Sequence, residues 1–241
     1  MAITRRTMVY DGPGGTFESV LAWDDATTAP RPGVLVFPNV LGQKEFDNQR
    51  AERLAALGYV ALATDLFGQG KRKTREDADF AGHMVALLAD HDLLRERLLH
   101  AHATLKTLDE VDAARTGAIG FCFGGRCCLD LARAGADVAG VASFHGIYTR
   151  PPWPNAKITA KILVLHGWDD PLAPPEDVVA LASELTDAGV DWQLHAHGHT
   201  GHAFTDPGVH MHERGLFHQP DADRRSWQAM ENFFAETFGA G

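Results

Sequence analysis

The chain has 241 residues, 45% of them hydrophobic and 22% charged, with a formal net charge of −10. That length fits one large domain or two small ones with a sizeable core, and the acidic balance argues against nucleic acid and anionic membrane surfaces as partners. No run of about 18 apolar residues is present, so no transmembrane helix is expected.

The opening "MAITRRTMVYDG" lacks the apolar core and cleavage site of a signal peptide. "TMVYDG" and "TFESVLAW" read as an antiparallel pair about the turn "GPGG". "GVLVFPN" (33–39) is a short apolar run ending at a proline, which predicts a buried strand. Residues 46–58 have helical spacing at Phe46, Gln49, Leu54 and Leu57, with Gly58 as the stop. "YVALATDLFG" (59–68) is a second buried strand, and a long helical stretch covers 76–108. A strand at 116–122 runs into a helix at 124–135. Further strands are expected at 138–146, 161–167 and 191–197, with helices at 175–188 and 223–238. Repeated strand–helix units with apolar strands predict an α/β fold over residues 1–241: a mostly parallel sheet with helices on both faces. Active residues then belong at the carboxyl ends of the strands.

The most informative stretch is "GAIGFCFGGRCC" (117–128), which holds all three cysteines of the chain. An odd, clustered set is a poor disulfide framework, so free thiols and a cytoplasmic location are expected. Gly120-Phe121-Cys122-Phe123-Gly124 has the form Gly-x-Cys-x-Gly between a predicted strand and a predicted helix. This is the nucleophile-elbow pattern with cysteine in place of serine. A tight turn there exposes the nucleophile, and small residues two positions either side let strand and helix approach. The helix N-terminus aims its N–H groups and positive dipole end at the sulfur, which favours thiolate. The Phe123 N–H is a candidate oxyanion donor. Cys127 and Cys128 lie deeper in the helix among apolar residues and read as core.

An elbow needs an acid and then a histidine at later strand ends. "LVLHGWDDPLAP" supplies Asp169 and Asp170, and Asp170 is placed to turn its carboxylate back over the sheet. Asp169 reads as a turn or cap residue. "HAHGHTGHAFTDP" supplies four histidines. His202 lies in the loop beyond the strand between small residues and is the chosen base. Asp170 stands 48 residues after Cys122 and His202 another 32 on, which suits one strand–helix unit each. In such a triad histidine takes the thiol proton, and the acid orients the imidazole.

With these motifs the sequence resembles the dienelactone hydrolase family, the cysteine branch of the α/β-hydrolase fold. The resemblance rests on "GFCFGG" (120–125), "GWDDPLAP" (167–174) and "GHAF" (201–204), with "GVLVFPNVLG" and "GYVALATDLFG" as early strands. It implies that the domain has no large cap, and it implies cofactor-free hydrolysis by Cys122, Asp170 and His202, with the backbone N–H groups of Val40 and Phe123 as the oxyanion hole. Two positions depart from the family pattern. Asn39 stands where the family usually has a glutamate that interacts with the thiol. It reads either as a hydrogen-bonding group for sulfur or substrate or as a turn residue after Pro38. Asp206 stands where dienelactone hydrolases proper place an arginine for the substrate carboxylate. An aspartate repels that carboxylate, so a neutral ester or lactone is the expected substrate.

Other pocket candidates are His145, at the end of a strand, and the aromatic residues Phe37, Phe67, Trp153 and Phe204, which suit a core equally well. "GKRKTRE" (70–76) reads as a solvated basic loop. The alternation of His195, His197 and His199 invites a metal reading, but Gly198 ends the strand and a fourth ligand is missing, so no metal is expected. The expected function is hydrolysis of small carboxylic esters or lactones through a thioester. The rivals are phosphotriester hydrolysis by the same triad, a non-catalytic binding module and a histidine-rich metal protein.

Overall fold

The computed structural model describes residues 2–239. They divide into two compact units: residues up to Ile119 with Pro151–Trp153, and Gly120–Arg150 with Pro154 onward. The fold is α/β, a mostly parallel central sheet with helices packed against it. No helix among the described residues is long and apolar enough to cross a membrane.

The first unit opens with a hairpin. Strands β1 (Ile3–Gly12) and β2 (Gly15–Asp24) pair antiparallel in a register that sets Gly12 opposite Gly15, so the predicted turn is real. β3 (Arg31–Phe37) and β4 (Val60–Ala63) run parallel, buried at nearly every position. β4 is shorter than the ten-residue strand expected at 59–68. Its continuation leaves the sheet because Asp65 folds it over: the carboxylate accepts from the N–H groups of Phe67 and Gly68 at 2.9 and 3.0 Å. Strand order in this unit is β1-β2-β4-β3, with β5 (Val111–Phe121) next to β3.

Helix α1 (Glu45–Ala56) lies where predicted, but it buries a different face. Asp47, Arg50, Ala51, Leu54 and Ala55 are buried, whereas Gln49 and Leu57 are exposed. The polar members are accounted for locally: Asp47 accepts from the Lys44 N–H at 2.9 Å, and the Arg50 guanidinium lies over the Phe46 ring at 4.8 Å. The helical stretch expected at 76–108 is two helices, α2 (Gly82–Ala89) and α3 (His91–Lys106). Asp90 divides them by capping α3 through the Leu93 N–H at 3.0 Å.

In the second unit the end of β5 passes into α4 (Phe123–Arg133), and the parallel strands β6 (Gly140–Phe144), β7 (Lys161–Gly167) and β8 (Trp192–His197) follow in that order. Helix α5 (Pro175–Asp187) links β7 to β8, and α6 (Pro220–Phe238) closes the unit. All of α4 is buried, including its charges. Arg133 pairs with Asp130 at 3.0 Å and Glu184 at 2.8 Å, so a salt-bridged network ties α4 to α5. The sequence did not signal a pair of two-residue strands, β9 (His210–Met211) and β10 (Leu216–Phe217), separated by a short 3-10 turn.

Candidate active site

Cys122 is the residue on which β5 ends and α4 begins. Its φ is +58° and its ψ −114°, a conformation that costs an L-residue about 1–3 kcal/mol and that neighbouring structure must enforce. The enforcement is visible. The Cys122 N–H donates to the Phe144 carbonyl at 3.0 Å, and its carbonyl accepts from the Arg126 N–H at 3.3 Å. A Cβ at Gly120 would collide with the Gly124 backbone. One at Gly125 would stand 2.7 Å from the Gly146 Cα and from the Ser143 Oγ. Gly120 and Gly125 are therefore required by close approach, the first as the elbow reading expects. Phe123, fully buried, is the first residue of α4 and directly follows Cys122, so its N–H lies at the N-terminal end of the helix. Cys127 and Cys128 are fully buried free thiols, and burial raises both well above the ordinary cysteine range. They are inert core residues.

Asp170 and His202 meet. The His202 Nδ1 lies 2.8 Å from Asp170 Oδ2, and both residues are buried. The other carboxylate oxygen accepts from the Leu172 N–H at 2.8 Å, which fixes the carboxyl rotation. Asp169 takes no part through its exposed side chain; its N–H donates to the Thr200 carbonyl at 2.9 Å and so stitches the acid loop to the histidine loop. The opposite nitrogen, His202 Nε2, is buried and makes no hydrogen bond of full geometry among the described residues. It is nonetheless close enough to Cys122 for the sulfur to act on it electrostatically. Burial opposes the imidazolium, but Cys122 and Asp170 together outweigh it and raise His202 to about 10.

His145 ends β6 with φ +38° and is buried. Its Nε2 is 2.8 Å from Thr205 Oγ1, and its ring stands edge-on to both His202 and Phe204, each at 5.0 Å between centroids. His145 is thus brought against His202 and Phe204 against His145. A second buried pair, Tyr148 and His166, lies close to the acid; the Tyr148 hydroxyl is 3.1 Å from His166 Nδ1, and Asp170 acts on both groups. Neither residue was singled out from sequence, and nothing in their spacing marks them.

The remaining candidates belong to the first unit. Phe37 is fully buried in β3, and Phe67 is buried with its ring 5.6 Å from that of His83. Trp153 is half-buried beneath the Arg95 guanidinium at 5.5 Å. Asn39 makes a turn: its side-chain oxygen accepts from the Leu41 N–H at 2.9 Å and its carbonyl from the Gly42 N–H at 3.1 Å. That turn uses neither the N–H of Val40 nor its carbonyl. In the basic loop Arg72 departs from the solvated reading, since it is clamped between the Gln43 side chain at 2.6 Å and the Glu18 carboxylate at 2.7 Å. His197 is taken by Ser226 Oγ at 2.9 Å, His195 is exposed, and His199 sits beyond β8 at φ +54°.

The sequence profile of the dienelactone hydrolase family matches residues 17–238. The chain belongs to the dienelactone hydrolase family. It is accordingly a hydrolase, with a small molecule as substrate. Among solved structures, a dienelactone hydrolase-like promiscuous phosphotriesterase from metagenomic libraries is 38% identical, with a TM-score of 0.94 over 99% of this chain and 100% of the other. A protein named m3DLH is 39% identical, with a TM-score of 0.92 over 99% and 100%. A Yersinia pestis protein named "Putative carboxymethylenebutenolidase" is 25% identical over 92% of this chain and 85% of its own length. Against the pattern expected of the family, the two departures keep their local explanations. Asn39 serves its turn, and Asp206 accepts from the Gly208 N–H at 2.9 Å.

Proposed function

We propose that this family member is a cysteine hydrolase of small neutral carboxylic esters or lactones, acting through a thioester. The observation that carries the reading is the buried His202–Asp170 pair at 2.8 Å, with Cys122 near enough to the ring to act on it. The Cys122 sulfur attacks the substrate carbonyl carbon. The tetrahedral oxyanion is met by the N–H groups of Phe123 and Val40, the second assigned on the family resemblance. The C–O bond then breaks, and the alcohol leaves with the proton from His202. Once sulfur is acylated it carries no charge, so its support for the imidazolium is lost while the burial penalty stays. His202 then suits the second step, in which it takes a proton from water as hydroxide adds to the thioester. The C–S bond breaks, the acid departs, and the thiolate and imidazolium are restored. Asp170 holds the ring and its tautomer throughout.

Asp206, in the turn just after His202, puts a negative charge where the family pattern has a cationic partner for a substrate carboxylate. This favours neutral substrates. The test is turnover of a neutral aryl ester by wild type and C122A, with folding checked by circular dichroism. C122A should retain the fold and lose turnover; a well-folded C122A with undiminished turnover would falsify the assignment.

A second reading is supported by the 38% identical structure named as a promiscuous phosphotriesterase. A thiolate beside backbone donors attacks a neutral phosphorus centre by the same geometry. With a paraoxon-type substrate, many equivalents of released phenol support turnover, and one equivalent per enzyme means covalent inhibition only.

A further inference from the structure

Both peptide groups of His202 are gripped by chain that returns to it. Its N–H donates to the Gly215 carbonyl at 2.8 Å, and its carbonyl accepts from the Phe217 N–H at 3.0 Å. Those partners close the 209–218 excursion, in which β9 pairs with β10 (Met211 opposite Leu216, His210 opposite Phe217) and the His218 N–H reaches the Val209 carbonyl at 2.8 Å. His202 cannot slide along its loop without breaking both bonds.

Gly215 does more than offer a carbonyl. It has φ +67°, and a Cβ there would stand 3.0 Å from Pro171 Cδ, 3.1 Å from Pro171 Cγ and 3.5 Å from the Asp169 carbonyl oxygen. A Cβ at Gly201, in turn, would collide with the Gly215 carbonyl. Pro171 directly follows the acid, and Gly201 directly precedes the base. At Gly215 the acid loop, the histidine loop and the returning hairpin therefore come close together, and an added methyl group would press tightly on the Pro171 ring.

We propose that Gly215 is a positioning residue of this hydrolase: by letting the 209–218 hairpin close against Pro171, it sets the spacing between the Asp170 carboxylate and the His202 imidazole. The proposal rests on the triad reading above and adds to it a residue that touches neither substrate nor the reacting atoms. It predicts that a small outward shift of the hairpin loosens the acid–base pair while leaving the Cys122 turn in place.

The test compares four variants on a neutral aryl ester. G215A adds a methyl group that crowds the Pro171 ring. G189A is its control, because Gly189 has the same φ of +67° but nothing within 4 Å of an added Cβ. G215A/P171A removes the obstructing ring, and C122A tests the parent reading. G215A is expected to lower kcat about ten- to a hundredfold with KM little changed, the scale set by a displacement of about 1 Å. It should also move the alkaline limb of kcat/KM to lower pH, since Asp170 then supports the imidazolium less. G189A should keep wild-type kcat and limb, and G215A/P171A should recover part of the loss. The proposal is overturned by wild-type kcat and limb in folded G215A, by an equal loss in G189A, or by no recovery in the double variant. A reading that needs no variant comes from hydrogen exchange on the wild type. The His202 and Phe217 amides should exchange slowly and together, and fast exchange at both would overturn the clamp. Turnover that survives C122A removes the triad reading; turnover lost in C122A but indifferent to G215A removes the positioning role alone.

Discussion

His202 gathers most of the energetics of the site into one ring. Burial alone would keep it neutral, yet the neighbouring sulfur and Asp170 raise it to about 10. The sign gives a prediction. Two of the raising causes come from Cys122, and the opposing burial does not depend on it, so C122A should lower the pKa of His202. Followed by the imidazole proton resonances, wild-type His202 should stay charged through neutral pH and release its proton only near pH 10. In C122A the release should come at lower pH, and equal titrations in the two proteins would rule out the thiolate–imidazolium pair. The same logic puts the alkaline limb of wild-type activity near the His202 value, because the leaving group needs its proton. The two adjacent aspartates then separate by experiment. D170N removes the carboxylate that holds Nδ1 and should lower kcat by about 10²–10⁴, the range set by loss of tautomer control. D169N should stay near wild type, because Asp169 contributes its backbone N–H to the Thr200 carbonyl and its side chain is exposed. A larger loss in D169N than in D170N would reverse the assignment of the acid.

At the scale of elements, the elbow was legible because its chemistry leaves residue-level marks: glycines where a Cβ cannot fit and cysteine at the strand–helix junction. G120A tests that reasoning directly. The new Cβ meets the Gly124 backbone rather than a movable side chain, so the strand and helix must separate. The expected cost is about 1–3 kcal/mol or more, read as a lower unfolding midpoint. A midpoint equal to wild type would mean that the junction relaxes freely. The misread elements failed for physical reasons. In α1 the apolar residues Phe46 and Leu57 suggested one face, but Arg50 lies over Phe46 and Asp47 caps the helix, so the buried stripe runs through polar positions. The single long helix at 76–108 was broken by Asp90, whose side chain offers α3 a cap that apolar periodicity does not register. β9 and β10 are two residues each. No alternation can be read from so short a run, which is why the clamp on His202 was invisible in sequence.

For the molecule as a whole, the α/β class was legible because it is carried by repetition: apolar strand runs alternate with helices along the chain, and no single misread boundary disturbs that pattern. Net charge is also a whole-chain property, and here it bears on substrate choice. With a formal charge of −10, and with Asp206 just after the base, an anionic substrate approaches against both a long-range and a local field. A neutral ester or lactone feels neither. Long-range repulsion is screened beyond about 10 Å at 0.1 M salt and reaches about 30 Å at 0.01 M. Raising the salt over that range should therefore increase kcat/KM for an anionic lactone and leave that for a neutral aryl ester nearly constant. D206N should narrow the gap between the two substrates further, by relieving the short-range part that salt does not screen. The measurement is a matrix of two substrates, two salt concentrations and two proteins. A wild-type preference for the anionic lactone that weakens as salt rises would mean that the field at the site is positive, and it would overturn the inference from Asp206.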